Sequence, residues 1–300
     1  MTLQALVDWA SDKTRFKKIA DYIDFAEWYL DFKDNSLQAV IVSQNERNYC
    51  FYQYRDDGHF NITRPINSNL IYPRTSCQQK HDDFLRSLKI VKDIGNDQLA
   101  LRNNIIEVIY TVQQCVGAAL DALPAGQSNK ARKVNGDLFE RLVQLIICET
   151  GASCRGGTVS VPVEIDGKTA FNMNYQHDLL ITDAGELKVI GSVKTSSKDR
   201  IDKIFMDKFL YCKLTETALP HIAIFLNDVQ RKNTTTVNRY GINSTFLPGH
   251  FKGFTIKLNP LDGVYYCDIR PNMRTEPILR DHIKTIDYLL CEDLWTLLEA

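Results

Sequence analysis

The stretch from residue 158 to residue 227 constrains the fold of this chain most tightly. It reads TVSVPVEI, a turn at Asp166-Gly167, TAFNMNY, HDLLIT, a second turn, and LKVIGSVKT, with the alternation of half-buried strands. A helix over about 200–214 follows, and then HIAIFLN (221–227), an apolar strand without alternation. Strand, turn, strand, helix and apolar strand together specify an α/β core. Two further strands are expected near 253–258 and 263–268, with helices from there to 298.

The preceding residues read differently. Residues 1–32 place Leu6, Trp9, Ile19, Ile23, Phe25 and Trp28 at helical spacing. A short β region, LQAVIVS and RNYCFYQYR, closes at the turn Asp56-Asp57-Gly58. Helices are expected over about 78–94 and 97–123, the second carrying Leu101, Ile105, Val108, Ile109 and Val112. The polar segment PAGQSNKARK (124–133) reads as a linker or loop, and Asn135 as the cap of a helix over 136–150. The chain therefore divides into an N-terminal, mainly helical region with some β structure (1–123) and a C-terminal α/β core (134–300).

A formal charge of −1 means that any affinity for nucleic acid must come from local patches, not from the chain as a whole. The eight cysteines are scattered and form no CxxC pair, so free thiols are expected rather than disulfides or zinc ligands. No apolar run is long enough to span a membrane, and the first residues lack the basic and apolar regions of a secretion signal. A cytoplasmic protein with no membrane partner is expected.

The chemistry gathers in the second hairpin. Asp178 heads one strand and Lys194 lies near the end of the next, with the turn signal Thr182-Asp183-Ala184-Gly185-Glu186-Leu187 between them. A three-residue loop pairs residues of even sum, putting Asp178, Ser192 and Lys194 on one face; a two-residue loop reverses this parity. A carboxylate there can hold Mg2+ through oxygen, while the lysine orients water and stabilises charge on a phosphate. A second acid is needed. Glu186-Leu187-Lys188 spells acid-x-Lys but lies at the turn, about 13 Å along the strand from the Asp178 level. Asp207, on the following helix with Arg200, Lys203 and Tyr211, and Glu140, on the preceding helix, are the better candidates. Each residue also has a plain structural reading. Asp178 can cap a turn, Lys194 can be solvated, Asp207 can pair with Lys203, Glu140 can favour a helix N-terminus, and Ser192 can be a small strand residue.

The segment Ser192-Val193-Lys194, followed by Lys198-Asp199-Arg200 and Asp207, resembles the CCGG family of type II restriction endonucleases, within the PD-(D/E)XK superfamily. That family displaces its second acid from the strand to the next helix and leaves a small residue such as serine in the strand. It also carries a glutamate on a helix before the sheet, matched by Glu140 in Gly136-Asp137-Leu138-Phe139-Glu140. A recognition element of basic residue, acid and arginine follows its lysine, matched by Lys198, Asp199 and Arg200. The chain departs at His177, where proline is usual, and at Asp207, where glutamate is usual.

The resemblance implies a restriction-endonuclease-like core, a central mixed sheet flanked by helices, and Mg2+-dependent cleavage of a short palindrome with a CC/GG core. It assigns metal binding to Asp178 and Asp207, support to Glu140 and Ser192, and water and phosphate handling to Lys194. Asp199 would accept from cytosine N4, and Arg200 would reach guanine O6 and N7 in bidentate fashion, with Lys198 serving a second guanine. The 16-residue spacing of Asp178 and Lys194 resembles the branch that reads CC-N-GG sites, some with an added flanking base pair. That branch stacks a flipped nucleotide on an aromatic residue, for which Tyr49, Phe51, Tyr52, Tyr54 and Phe60 are candidates. The implied partners are double-stranded DNA, a second copy in a homodimer, and a cognate DNA methyltransferase that is not a bound subunit, in a prokaryotic cytoplasm. Residues 1–123 would then supply DNA-contacting and dimerisation elements. Two alternatives stay open: a repair or recombination nuclease of low specificity, and a non-catalytic DNA-binding protein on the same fold.

Overall fold

Apolar residues three and four apart form α1 (Leu3–Ser11) and α2 (Ile19–Ser36), which bury Leu6, Tyr22, Phe25, Ala26 and Tyr29. The computed structural model describes residues 1–56, 59–124, 126–198, 200–232 and 240–299, with backbone alone at 55, 56 and 59–61. Strands β1 (Ala39–Val42), β2 (Tyr49–Asp56), β3 (His59–Ile62) and β4 (Ile66–Asn67) make an antiparallel sheet in which β2 pairs with the other three. Asp57 and Gly58 of the expected turn lie outside the described residues. Helices α3 (Cys77–Lys89) and α4 (Leu99–Leu120) follow, and α4 is buried on almost every side from Ile105 onward.

Helix α5 (Ser128–Glu149) corrects the linker or loop expected at 124–133, because residues 128–133 are already helical. Asn135 is not its cap. It lies inside the helix, buried, and its Oδ1 accepts from Gln113 Nε2 at 2.9 Å. A polar side chain that reads as a helix start is instead satisfied by an amide on α4.

The remaining elements are β5 (Ser153–Ile165), β6 (Lys168–Asp183), β7 (Glu186–Ser196), α6 (Ile201–Thr215), β8 (His221–Asn227), β9 (Val229–Arg231), β10 (Ile242–Ser244), α7 (Pro248–Lys257) and β11 (Gly263–Tyr266). Then come α8 (Pro271–Thr275), α9 (Pro277–His282), β12 (Ile283–Thr285), α10 (Ile286–Tyr288), a π turn (Leu289–Asp293) and α11 (Leu294–Glu299). Two compact units result. One comprises Met1–Leu88, Asn96–Leu142 and Asp228–Thr245; the other comprises Lys89–Gly95, Val143–Asn227 and Phe246–Ala300.

The second unit holds a six-stranded mixed sheet of order β12-β11-β8-β7-β6-β5. The β5-β6-β7 part is antiparallel, and β7, β8, β11 and β12 run parallel. Strand β8 is buried at every position, which is why HIAIFLN carries no alternation. Helix α6 is the crossover between parallel strands β7 and β8, and two clusters hold it to the sheet. Tyr211 packs with Val161, Tyr175, Leu180 and Ile190, and Ile201, Ile204 and Phe205 pack with Ala223, Phe225 and Val264.

Three expectations change here. The segment 253–258 belongs to α7, not to a strand: Pro248 starts the helix, and Phe251 and Thr255, four apart, are the residues it buries. TAFNMNY and HDLLIT are one strand, β6. The three-residue β12 interrupts the expected C-terminal helices and is too short to show an alternation. All eight cysteines are free thiols. Among the described residues no helix is long and apolar enough to cross a membrane.

Candidate active site

The hairpin β6–β7 turns through Ala184 and Gly185, both with positive φ (45° and 86°), the conformation of a two-residue hairpin loop. Its first pairs, Asp183–Glu186 and Thr182–Leu187, have odd sums, the parity that would send Asp178 and Lys194 to opposite faces. A bulge at Lys188 corrects this: from Ile181–Val189 through Leu179–Gly191 the sums are even. Ser192 and Lys194 therefore share the face of Ile190, which packs on Tyr211 of α6. Glu186 and Lys188 pair with each other near the hairpin tip, away from Asp178.

The ladder between β6 and β7 ends at Leu179–Gly191. Beyond it the strands part. The Val193 N–H, which a continued ladder would satisfy with a carbonyl of β6, donates instead to Asp178 Oδ2 at 2.8 Å. The same oxygen takes the ammonium of Lys194 in a hydrogen-bonded ion pair. Both side chains are partly shielded from solvent, which strengthens the pair relative to an exposed one. Gly191 is required by packing, since a Cβ there would lie 2.8 Å from Leu179 Cδ1 and 3.2 Å from Ile222 Cγ1.

On its other edge β6 carries a second irregularity. His177 pairs with Gly157 and Leu180 with Arg155, so Asp178 and Leu179 together oppose Gly156. The Asp178 carbonyl accepts from Gln144 Nε2 of α5 at 2.8 Å. Gln144 is the contact that sequence reasoning missed. Its one signal is its position four residues after Glu140, on the same face of α5.

Asp207 lies on α6, as expected, and forms the i,i+4 ion pair with Lys203. His177, immediately before Asp178, is buried with Tyr175, Tyr211 and His221, stacked on Tyr175 at 6.0 Å between ring centroids. Burial holds its imidazole below the ordinary histidine value, opposed first by Asp207 and then by Asp178. Both carboxylates thus act on one ring. Among the described residues no three His, Cys, Asp or Glu side chains gather as a metal cage.

Glu140 lies on α5 within the first unit. Lys198 and Arg200 are exposed between β7 and α6, with Arg200 at the N-cap of α6 and its N–H on the Ser197 carbonyl at 3.2 Å. Asp199 lies outside the described residues, as does the side chain of Phe60. Tyr49, Phe51, Tyr52 and Tyr54 are buried in the first unit, so none of these four presents a free ring to a flipped base.

No family model matches this chain, and no curated protein matches it in sequence. Its fold is similar to the crystal structure of the type IIP restriction endonuclease Kpn2I, with a TM-score of 0.71 over 99% of this chain and 97% of that one. The chain has a restriction-endonuclease fold. Sequence identity is 17%, so the likeness is one of fold.

Proposed function

We propose that this chain is a type II restriction endonuclease, a homodimer that uses Mg2+ to cut double-stranded DNA at a short palindrome with a CC/GG core. The observation that carries this reading is the convergence of Lys194 Nζ and the Val193 N–H on one oxygen of Asp178, where β6 and β7 part. That arrangement sits on a fold similar to that of a restriction endonuclease.

The donor set fits a hard divalent cation. Mg2+ takes oxygen ligands, and one or two carboxylates suffice when substrate phosphate and water complete the shell, so a protein cage of three acids is not required. Asp178 and Asp207 would hold it; both act on His177. The ion, when bound, supplies Lewis acidity toward the scissile phosphate and acidifies water. Lys194 would hold the attacking water and take charge from a phosphate oxygen, with Ser192 and Glu140 in support. The exposed Lys198 and Arg200, with Asp199, would read C·G pairs, and the bidentate fork of Arg200 would carry most of the discrimination. A CC-N-GG site with or without a flanking pair, and a methyltransferase protecting it in the same prokaryotic cell, complete the proposal.

Incubation with DNA of mixed sequence and Mg2+ tests it. Discrete fragments whose ends share a CC/GG core support restriction. A smear supports a nuclease of low specificity, and either a smear or intact DNA refutes the proposal. The second reading, a non-catalytic DNA binder, draws on the absence of a three-acid cluster among the described residues and predicts intact DNA with retained binding.

A further inference from the structure

We infer that Gln144 is the residue that positions Asp178 for the proposed reaction, acting through the main chain and not through the carboxylate. The inference rests on the reading of Asp178 and Lys194 as the cutting site. At Asp178 the strand β6 leaves both neighbours. Its pairing with β7 stops at Leu179–Gly191, and its pairing with β5 slips so that Asp178 and Leu179 share the single partner Gly156. A residue loosened on both edges has no ladder to fix its φ and ψ, yet its carboxylate must meet the Val193 N–H and Lys194.

The Gln144 amide supplies the missing constraint. Nε2 donates to the Asp178 carbonyl at 2.8 Å, taking over a backbone acceptor freed by the slip. Gly156 makes the room, because a Cβ there would stand 3.0 Å from Gln144 Nε2 and 3.3 Å from the Asp178 carbonyl oxygen. Three features thus serve one purpose: a bulge, a glycine opposite it and an amide through the gap. Gln144 extends from α5, a 22-residue helix, so the tether is to a rigid element and not to a loop.

The test uses the full chain with Gln144→Leu, which removes the donor, Gln144→Lys, which restores a donor, and Gly156→Ala, which crowds the amide. Two readouts are taken. Cleavage with Mg2+ should fall about 100-fold in Gln144→Leu, the effect of a displacement of roughly 1 Å at a reacting group, and recover in Gln144→Lys. DNA binding measured with Ca2+ should change by less than about 2-fold, because no base or phosphate contact is removed. Independently of activity, exchange of the Val193 N–H should quicken by roughly 5-fold in Gln144→Leu, the factor a typical hydrogen bond carries, with Gly191 N–H unchanged. Gly156→Ala should shift both readouts in the same direction.

Cleavage within about 3-fold of wild type in Gln144→Leu overturns the inference. So does loss of cleavage with Val193 exchange unchanged, because Gln144 would then act by another route. If the wild-type protein cuts no DNA, the restriction reading fails and Val193 exchange alone decides. Faster exchange then upholds the tether, and unchanged exchange refutes it.

Discussion

Acidification should destabilise this protein through His221 in a way that a single substitution can isolate. His221 is buried at the start of β8, with Nδ1 on the Leu219 carbonyl at 2.9 Å, while its Nε2 has no hydrogen-bond partner among the described residues. Burial pushes its pKa down to about 4, helped by the charge of Lys208 and by His177 and opposed by the Leu219 carbonyl and Asp262. The unfolded chain has the ordinary value of about 6.5 and so binds the proton more tightly than the folded chain does. His221 therefore costs nothing above the unfolded pKa, and its stability contribution is lost as the pH falls from about 6.5 toward 4. Between pH 7 and pH 5 the loss is on the order of 2 kcal/mol. His177, also depressed, adds a loss of the same sign. Urea unfolding of the wild type and of His221→Leu at both pH values checks this. Carboxylate titrations are common to the two proteins and cancel, so the variant should lose about 2 kcal/mol less on acidification. Equal losses in both proteins would refute the reasoning, whatever the absolute stability of the variant.

Three further outcomes are expected. Gly191→Ala should cost about 1–3 kcal/mol in thermal unfolding, because its Cβ meets Leu179 and Ile222 within a packed sheet; a change within error would contradict that packing. Arg200→Ala should remove about 1–3 kcal/mol of discrimination between cognate and altered sites in Ca2+ binding assays, and unchanged specificity would refute its role as a base reader. Asp207→Ala should abolish cleavage while leaving DNA binding intact; retained cleavage at low Mg2+ would remove Asp207 from the metal site.

Much of the second unit was legible because its signals are local. Asp166-Gly167 and Ala184-Gly185 mark turns, β8 is apolar because it is covered on both faces, and α6 shows its helical period. The parity of the hairpin was not legible. Asp178 and Lys194 can meet because a bulge at Lys188 undoes the parity of a two-residue turn, and no composition rule marks that residue. Gln144 escaped notice for a related reason: its partner is a main-chain carbonyl 34 residues away, freed by the slip opposite Gly156. Asn135 and residues 253–258 misled because local polarity and alternation were overridden by burial, in one case against Gln113 and in the other through Phe251 and Thr255.

The pairing of Asp178 with Lys194 carries the whole functional reading, and Lys194→Ala tests it most directly. Wild type and variant are incubated with DNA of mixed sequence and Mg2+, with binding followed in parallel in Ca2+. The wild type should give discrete fragments, and the variant should cut at least about 100-fold more slowly while still binding the same site. Sequence-specific cleavage by the variant at the wild-type rate would contradict the assignment of this site.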